Sequence, residues 1–183
     1  MKPNSHIALF GSSFNPPHRG HLAVVQDLLA RRLFDEIWLV PVYAHPFRKD
    51  LPDFATRLTL TQMLVAELAD ERVKICTIEA DLAATPSYTF DTVTALKKKY
   101  PHDDFTLIVG SDVQNELDKW HNIAGLKNLV TFYFVPRQGF ADSPYPQVSS
   151  SDVREKCRAG ESVAELTTPA IAKYLKENKI YHD

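Results

Sequence analysis

Short apolar runs that stop on glycine or proline alternate along this chain with segments of helical periodicity. That alternation limits the fold more than any other feature. Ile7-Ala8-Leu9-Phe10 stops at Gly11, and Glu36-Ile37-Trp38-Leu39-Val40 stops at Pro41. Residues 73–78, Phe105 to Val109 and Leu129 to Val135 complete the predicted strands. Between them, residues 21–33 carry Leu22, Val25, Leu29 and Leu33 on one helical face. Residues 54–69 follow Asp53 as a possible N-cap, and residues 89–99 end in a lysine triplet that suits the negative end of a helix. Gly110-Ser111-Asp112 opens a short helix. After a Pro/Ser-rich loop at 136–149, two more helices are predicted over about 150–159 and 168–178, the first ended by Gly160 and the second started by Thr168-Pro169.

Continuous apolar strands joined by helices predict an α/β fold. It would be a Rossmann-like, doubly wound parallel sheet with helices on both faces and a short C-terminal helical extension. The 183 residues suit one domain, with a core over about 1–147 and a helical part over about 148–183. Ligands in such sheets sit at the carboxyl ends of the strands, where strand order reverses. The chemistry is therefore expected in the loops after residues 10, 40, 78, 109 and 135.

Charge argues against a general nucleic-acid binder, because 21 Lys+Arg face 23 Asp+Glu. No apolar run approaches the roughly 18 residues of a membrane-spanning helix, and Met1 to His6 lacks a signal-peptide core. Cys76 and Cys157 are far apart and form no CxxC, so neither a disulfide framework nor a zinc site is expected. Buried thiols in a reducing cytoplasm are the simplest reading.

The loop after the first strand concentrates the chemistry: Gly11-Ser12-Ser13-Phe14-Asn15-Pro16-Pro17-His18-Arg19-Gly20-His21. Gly11 and Ser12 allow a tight turn whose amides face an anion. Two prolines fix the backbone before His18. Gly20 removes a side chain where a phosphate could approach. His18 and His21, three apart, share one side of a helix turn, and each ring can donate an N–H to a phosphate oxygen. The segment lacks the Gly-Lys-Ser/Thr of a Walker loop and the ligand pattern of a zincin.

Ser13 to His21 resembles the HxGH signature of the nucleotidyltransferase superfamily, and the double proline is most similar to bacterial nicotinate-nucleotide adenylyltransferases. Further segments resemble that family: Val40-Pro41 followed by Pro46-Phe47-Arg48, Arg57, Pro86-Ser87-Tyr88-Thr89, Ile108-Val109-Gly110-Ser111-Asp112 followed by Trp120, Arg137, and Val148 to Arg154. The resemblance implies transfer of an adenylyl group from ATP to the phosphate of nicotinate mononucleotide, releasing pyrophosphate. It implies His18, His21 and Arg154 as catalytic residues. ATP would also meet Gly11, Ser12, Ser13, Phe14, Gly110, Asp112, Ser150 and Ser151. The pyridine nucleotide would meet Arg48, Arg57, Tyr88, Thr89, Trp120 and Arg137. Magnesium (Mg2+) would accompany ATP, held mainly by phosphate oxygens, with no metal site on the protein itself. The expected partners are ATP and a pyridine mononucleotide, with no nucleic acid and no membrane, and with room for a homo-oligomer. Ser12, Asn15, Phe47 and Gln138 depart from the family pattern, and Ala80 to Ala84 lacks its usual basic residue. Three other readings stay open: a nicotinamide mononucleotide acceptor, another phosphate acceptor such as phosphopantetheine, or a non-catalytic nucleotide-binding regulator.

Overall fold

A computed structural model describes residues 4–46, 51–136 and 144–181. Five parallel strands form one sheet in the order β3-β2-β1-β4-β5, from β1 (His6–Ser12), β2 (Glu36–Pro41), β3 (Val73–Ile75), β4 (Asp104–Gly110) and β5 (Thr131–Val135). The chain moves outward from β1 to β3, then returns past β1 to lay down β4 and β5. The carboxyl ends of β1 and β4 therefore part into the crevice that a reversal of strand order creates.

Side-chain alternation assigns the residues of β1 to two cores. Ala8 and Phe10 join a core with Val25 and Leu28 of α1 (Arg19–Arg31), Leu60 and Leu64 of α2 (Phe54–Leu68), and Val153 of α6 (Ser150–Arg158). Ile171 and Leu175 of α7 (Pro169–Glu177) complete that core. Ile7 and Leu9 face the other way, toward Ile78 of α3 (Ile78–Leu82), Val93 and Leu96 of α4 (Thr89–Lys99) and Leu126 of α5 (Ile123–Leu129). The predicted doubly wound sheet is thus present, with helices on both faces. Each fully buried aliphatic side chain contributes about 1.5–3 kcal/mol, so the two-sided core carries the fold. Among the described residues, no helix is long and apolar enough to cross a membrane.

Two predicted strands are shorter than their apolar runs. The run at 73–78 pairs only through Ile75, after which Ile78 buries itself in the single turn of α3. The run starting at Leu129 joins the sheet at Thr131, because Asn122 accepts a hydrogen bond from Gly125 N and starts α5 ahead of it. Helices this short leave too few residues for periodicity to separate them from strands.

Candidate active site

The crevice between β1 and β4 holds a cavity of about 150 Å3. Phe10, Gly11 and Ser12 of β1 and Ile108, Val109 and Gly110 of β4 form two of its walls. His18, Gly20, His21 and Val24 form a third, and Trp120, Pro136, Tyr145, Pro146 and Val148 also line the cavity. A Cβ built on Gly11 meets nothing within 4 Å, so this glycine keeps open space where the sheet ends.

The two imidazoles are held by the start of α1. His18 is its N-cap, and its Nδ1 accepts from Gly20 N at 3.1 Å. His21 Nδ1 accepts from His18 N at 3.2 Å, closing a capping box built from two histidines. Because both Nδ1 atoms accept from backbone amides, the neutral rings carry their proton on Nε2. His21 Nε2 therefore donates to Ser12 Oγ at 3.1 Å. The rings lie 3.8 Å apart between centroids, and both residues are buried. This geometry gives two oriented N–H donors rather than a general base, at a helix end whose dipole favours anions.

Gly20 also serves a purpose that its sequence did not suggest. A Cβ there would stand 2.9 Å from both Cε1 and Nδ1 of His18. The space it leaves is taken up by the histidine ring, while Gly20 itself lines the cavity. Gly20→Ala should raise helix propensity by about 1 kcal/mol yet displace the imidazole. The expected result is a kcat lowered roughly tenfold to a hundredfold at nearly unchanged Tm. A variant with wild-type kcat would show that the ring yields without consequence.

The C-terminal part grips the same loop through three successive carbonyls. Arg154 Nη1 donates to Asn15 O at 2.7 Å, Ser150 Oγ to Pro16 O at 2.9 Å, and Thr167 Oγ1 to Pro17 O at 2.8 Å. Arg154 Nη2 also donates to Ser151 Oγ at 3.0 Å. The Ser149 cap pairs reciprocally with Asp152, and Val148 just before it lines the cavity. The amino ends of α1 and α6 thus meet at one crevice. Ser150, Ser151 and Arg154 stand beside the histidine loop but are not part of the cavity wall itself. Tyr181 OH donates to Asn15 Oδ1 at 2.6 Å, and burial drives its phenol pKa far upward.

Two residues expected on ligand are placed elsewhere. Phe14 has 0% exposure and packs against His21 and Phe10, at 5.1 and 6.1 Å between ring centroids; its side chain belongs to the core. Arg57 is 1% exposed. Its guanidinium donates to Pro52 O, Ser13 O, Val42 O and Tyr43 O. It is a scaffold group, and burial pulls its pKa down. The carbonyl of Ser13 is one of these acceptors, and Ser13 is not among the residues that line the cavity.

The other expected residues spread along the crevice. Gly110 and Trp120 line the cavity, and Asp112 lies exposed on a 3-10 helix over Ser111–Lys119. Tyr88 caps α4, Thr89 begins it, and the Tyr88 ring stacks on His121 at 4.4 Å, next to Trp120. Arg48 and Arg137 lie outside the described residues, as do Phe47 and Gln138. Thr167, His121 and the buried Glu79 escaped the sequence reading.

Comparison with known proteins agrees with this architecture. Residues 9–156 match the family described as cytidylyltransferase-like. The chain is 35% identical to a "Probable nicotinate-nucleotide adenylyltransferase" of Shouchella clausii, covering 97% of each protein. It is 33% identical to the nicotinate-nucleotide adenylyltransferase of Bacillus subtilis, covering 96% of this chain and 97% of that one. Its fold matches the Plasmodium falciparum nicotinic acid mononucleotide adenylyltransferase solved with NaAD, at a TM-score of 0.80 and 17% identity over 97% of this chain and 98% of that one. A cytidylyltransferase-like match over most of the chain, and full-length relatives above 30% identity, mean that the chain belongs to the cytidylyltransferase-like family, among the nicotinate-nucleotide adenylyltransferases.

Proposed function

We propose that this chain joins the adenylyl part of ATP to nicotinate mononucleotide, giving the deamido form of NAD and pyrophosphate. The observation that carries this reading is the histidine capping box, which sets two imidazoles at the start of α1 in the wall of the crevice between β1 and β4, with His21 Nε2 on the hydroxyl of Ser12. A phosphate oxygen of the mononucleotide attacks the α-phosphorus of ATP in line. The bond from that phosphorus to the bridging oxygen breaks, and its electron pair leaves with pyrophosphate. The loop offers no activated nucleophile, so direct displacement needs only positioning and charge stabilisation. His18 and His21 donate to the triphosphate and the reacting phosphoryl group, and the amino ends of α1 and α6 add their dipoles. Arg154, Ser150 and Ser151, beside the histidine loop, support the departing pyrophosphate.

The groups around the crevice are imidazoles, hydroxyls and backbone groups, which suit a magnesium ion that keeps its phosphate and water ligands. Trp120 gives a flat face for the pyridine ring, with Tyr88 and Thr89 close by. A cytoplasmic setting fits two thiols whose pKa values are pushed up by burial.

The direct experiment is pyrophosphate release with ATP–magnesium and either nicotinate or nicotinamide mononucleotide. Release with the nicotinate substrate is expected to exceed release with the nicotinamide one. Nucleotide binding without release from either would leave a regulatory module as the better reading.

A further inference from the structure

Beyond Pro41 the chain leaves the sheet, yet no backbone polar group of residues 42–44 is lost. Val42 N donates to Ser12 O at 3.0 Å. The carbonyls of Val42 and Tyr43 accept from Arg57 at 2.6 and 3.1 Å. Tyr43 N donates to Glu79 Oε2 at 2.9 Å. Ala44 N donates to Ser87 Oγ at 3.2 Å, and Ala44 O accepts from Ser87 N at 2.9 Å. Loops usually leave such groups to water. This one is fixed by three buried polar side chains, Arg57, Glu79 and Ser87.

Glu79 connects this loop to α4. Its Oε1 accepts from Thr92 Oγ1 at 3.0 Å, in the first turns of α4. That helix begins with Tyr88 as cap and Thr89 as first residue. One buried carboxylate therefore sets the spacing between residues 42–44 and the Tyr88-Thr89 segment. Burial raises its pKa, while bonds from Tyr43, Thr92 and Ser87 and the nearby Arg57 charge pull it back down. Desolvating a carboxylate is costly, and this one is not among the residues that line the cavity between β1 and β4.

We infer that Glu79 is a positioning residue for the pyridine mononucleotide, acting through Tyr43 N and Thr92 to hold the two walls of the acceptor side in register. The inference rests on the reading of the crevice as an adenylyltransferase site. Glu79→Ala leaves Tyr43 N without its acceptor and frees Thr92. It should raise KM for nicotinate mononucleotide about tenfold, while KM for ATP stays within about twofold.

Glu79→Gln should restore the wild-type value. Its oxygen can take Tyr43 N and its amide can donate to Thr92 Oγ1, whose own proton then goes to Tyr88 O at 3.1 Å. Ser87→Ala removes the acceptor of Ala44 N on the same loop and should shift the same KM, so the test survives if Glu79→Ala folds poorly. Parallel rises in both KM values, an unchanged KM for the mononucleotide, or failure of Gln to rescue would each overturn the assignment. Should the unaltered protein release no pyrophosphate from this substrate pair, the functional reading falls. Amide exchange at Tyr43 then still tests the positioning: faster in Glu79→Ala and restored in Glu79→Gln supports it, and equal rates in all three overturn it.

Discussion

Asn in place of His18 is expected to lower kcat by about 10²–10³-fold while leaving the fold intact. The two functions of this ring lie on different atoms. Nδ1 caps α1 by accepting from Gly20 N, and Asn is among the best N-cap residues, so its side-chain oxygen can take that bond. The Nε2–H has no counterpart in Asn, and with it goes one donor to the transition-state charge. His18→Ala removes both and should add about 1 kcal/mol of instability to the same kinetic loss. The pair of variants separates capping from catalysis, with kcat from pyrophosphate release and Tm from thermal melting. Near-normal turnover in His18→Asn would remove this histidine from the chemistry.

Arg57→Met should be the most damaging single change to stability, by roughly 3–5 kcal/mol. It would leave the carbonyls of Ser13, Val42, Tyr43 and Pro52 without the donors that now reach them at 2.6–3.1 Å. Each buried acceptor left unmade costs about 1–3 kcal/mol, partly recovered where the loops relax toward water. For a chain of 183 residues this corresponds to a Tm lower by about 10 °C. Arg57→Lys keeps the charge but not the planar fork, and should recover only part of the loss. If Arg57→Met melts like the unaltered protein and only its KM for substrate rises, the residue belongs on the ligand after all.

Both predictions turn on a division that runs through the whole site. The order of strands and helices, the end of β1 at a glycine-bearing loop, and the pairing of His18 with His21 are local properties. Apolar periodicity, prolines and a three-residue spacing encode them within a few residues, and the structure shows all of them. The short helices α3 and α5 were not legible, because five and seven residues leave too little of a period to read. Glu79 was equally hidden: nothing in its neighbours marks it as the acceptor for an amide 36 residues away.

The sequence alone settled that a strand, a tight loop and a histidine-bearing helix start follow one another, since these need only neighbouring residues to form. Only the tertiary structure decided which polar side chains face the crevice and which are spent on the backbone. Arg57 and Phe14 carry the look of ligand residues, yet one is consumed by carbonyls and the other by the core. Ser150, Arg154 and Thr167 reach across 134, 139 and 150 residues to hold the prolines' loop. A buried donor or acceptor must be satisfied by whatever lies beside it in space, and that neighbour is chosen by the packing of the sheet and its helices rather than by the order of the chain.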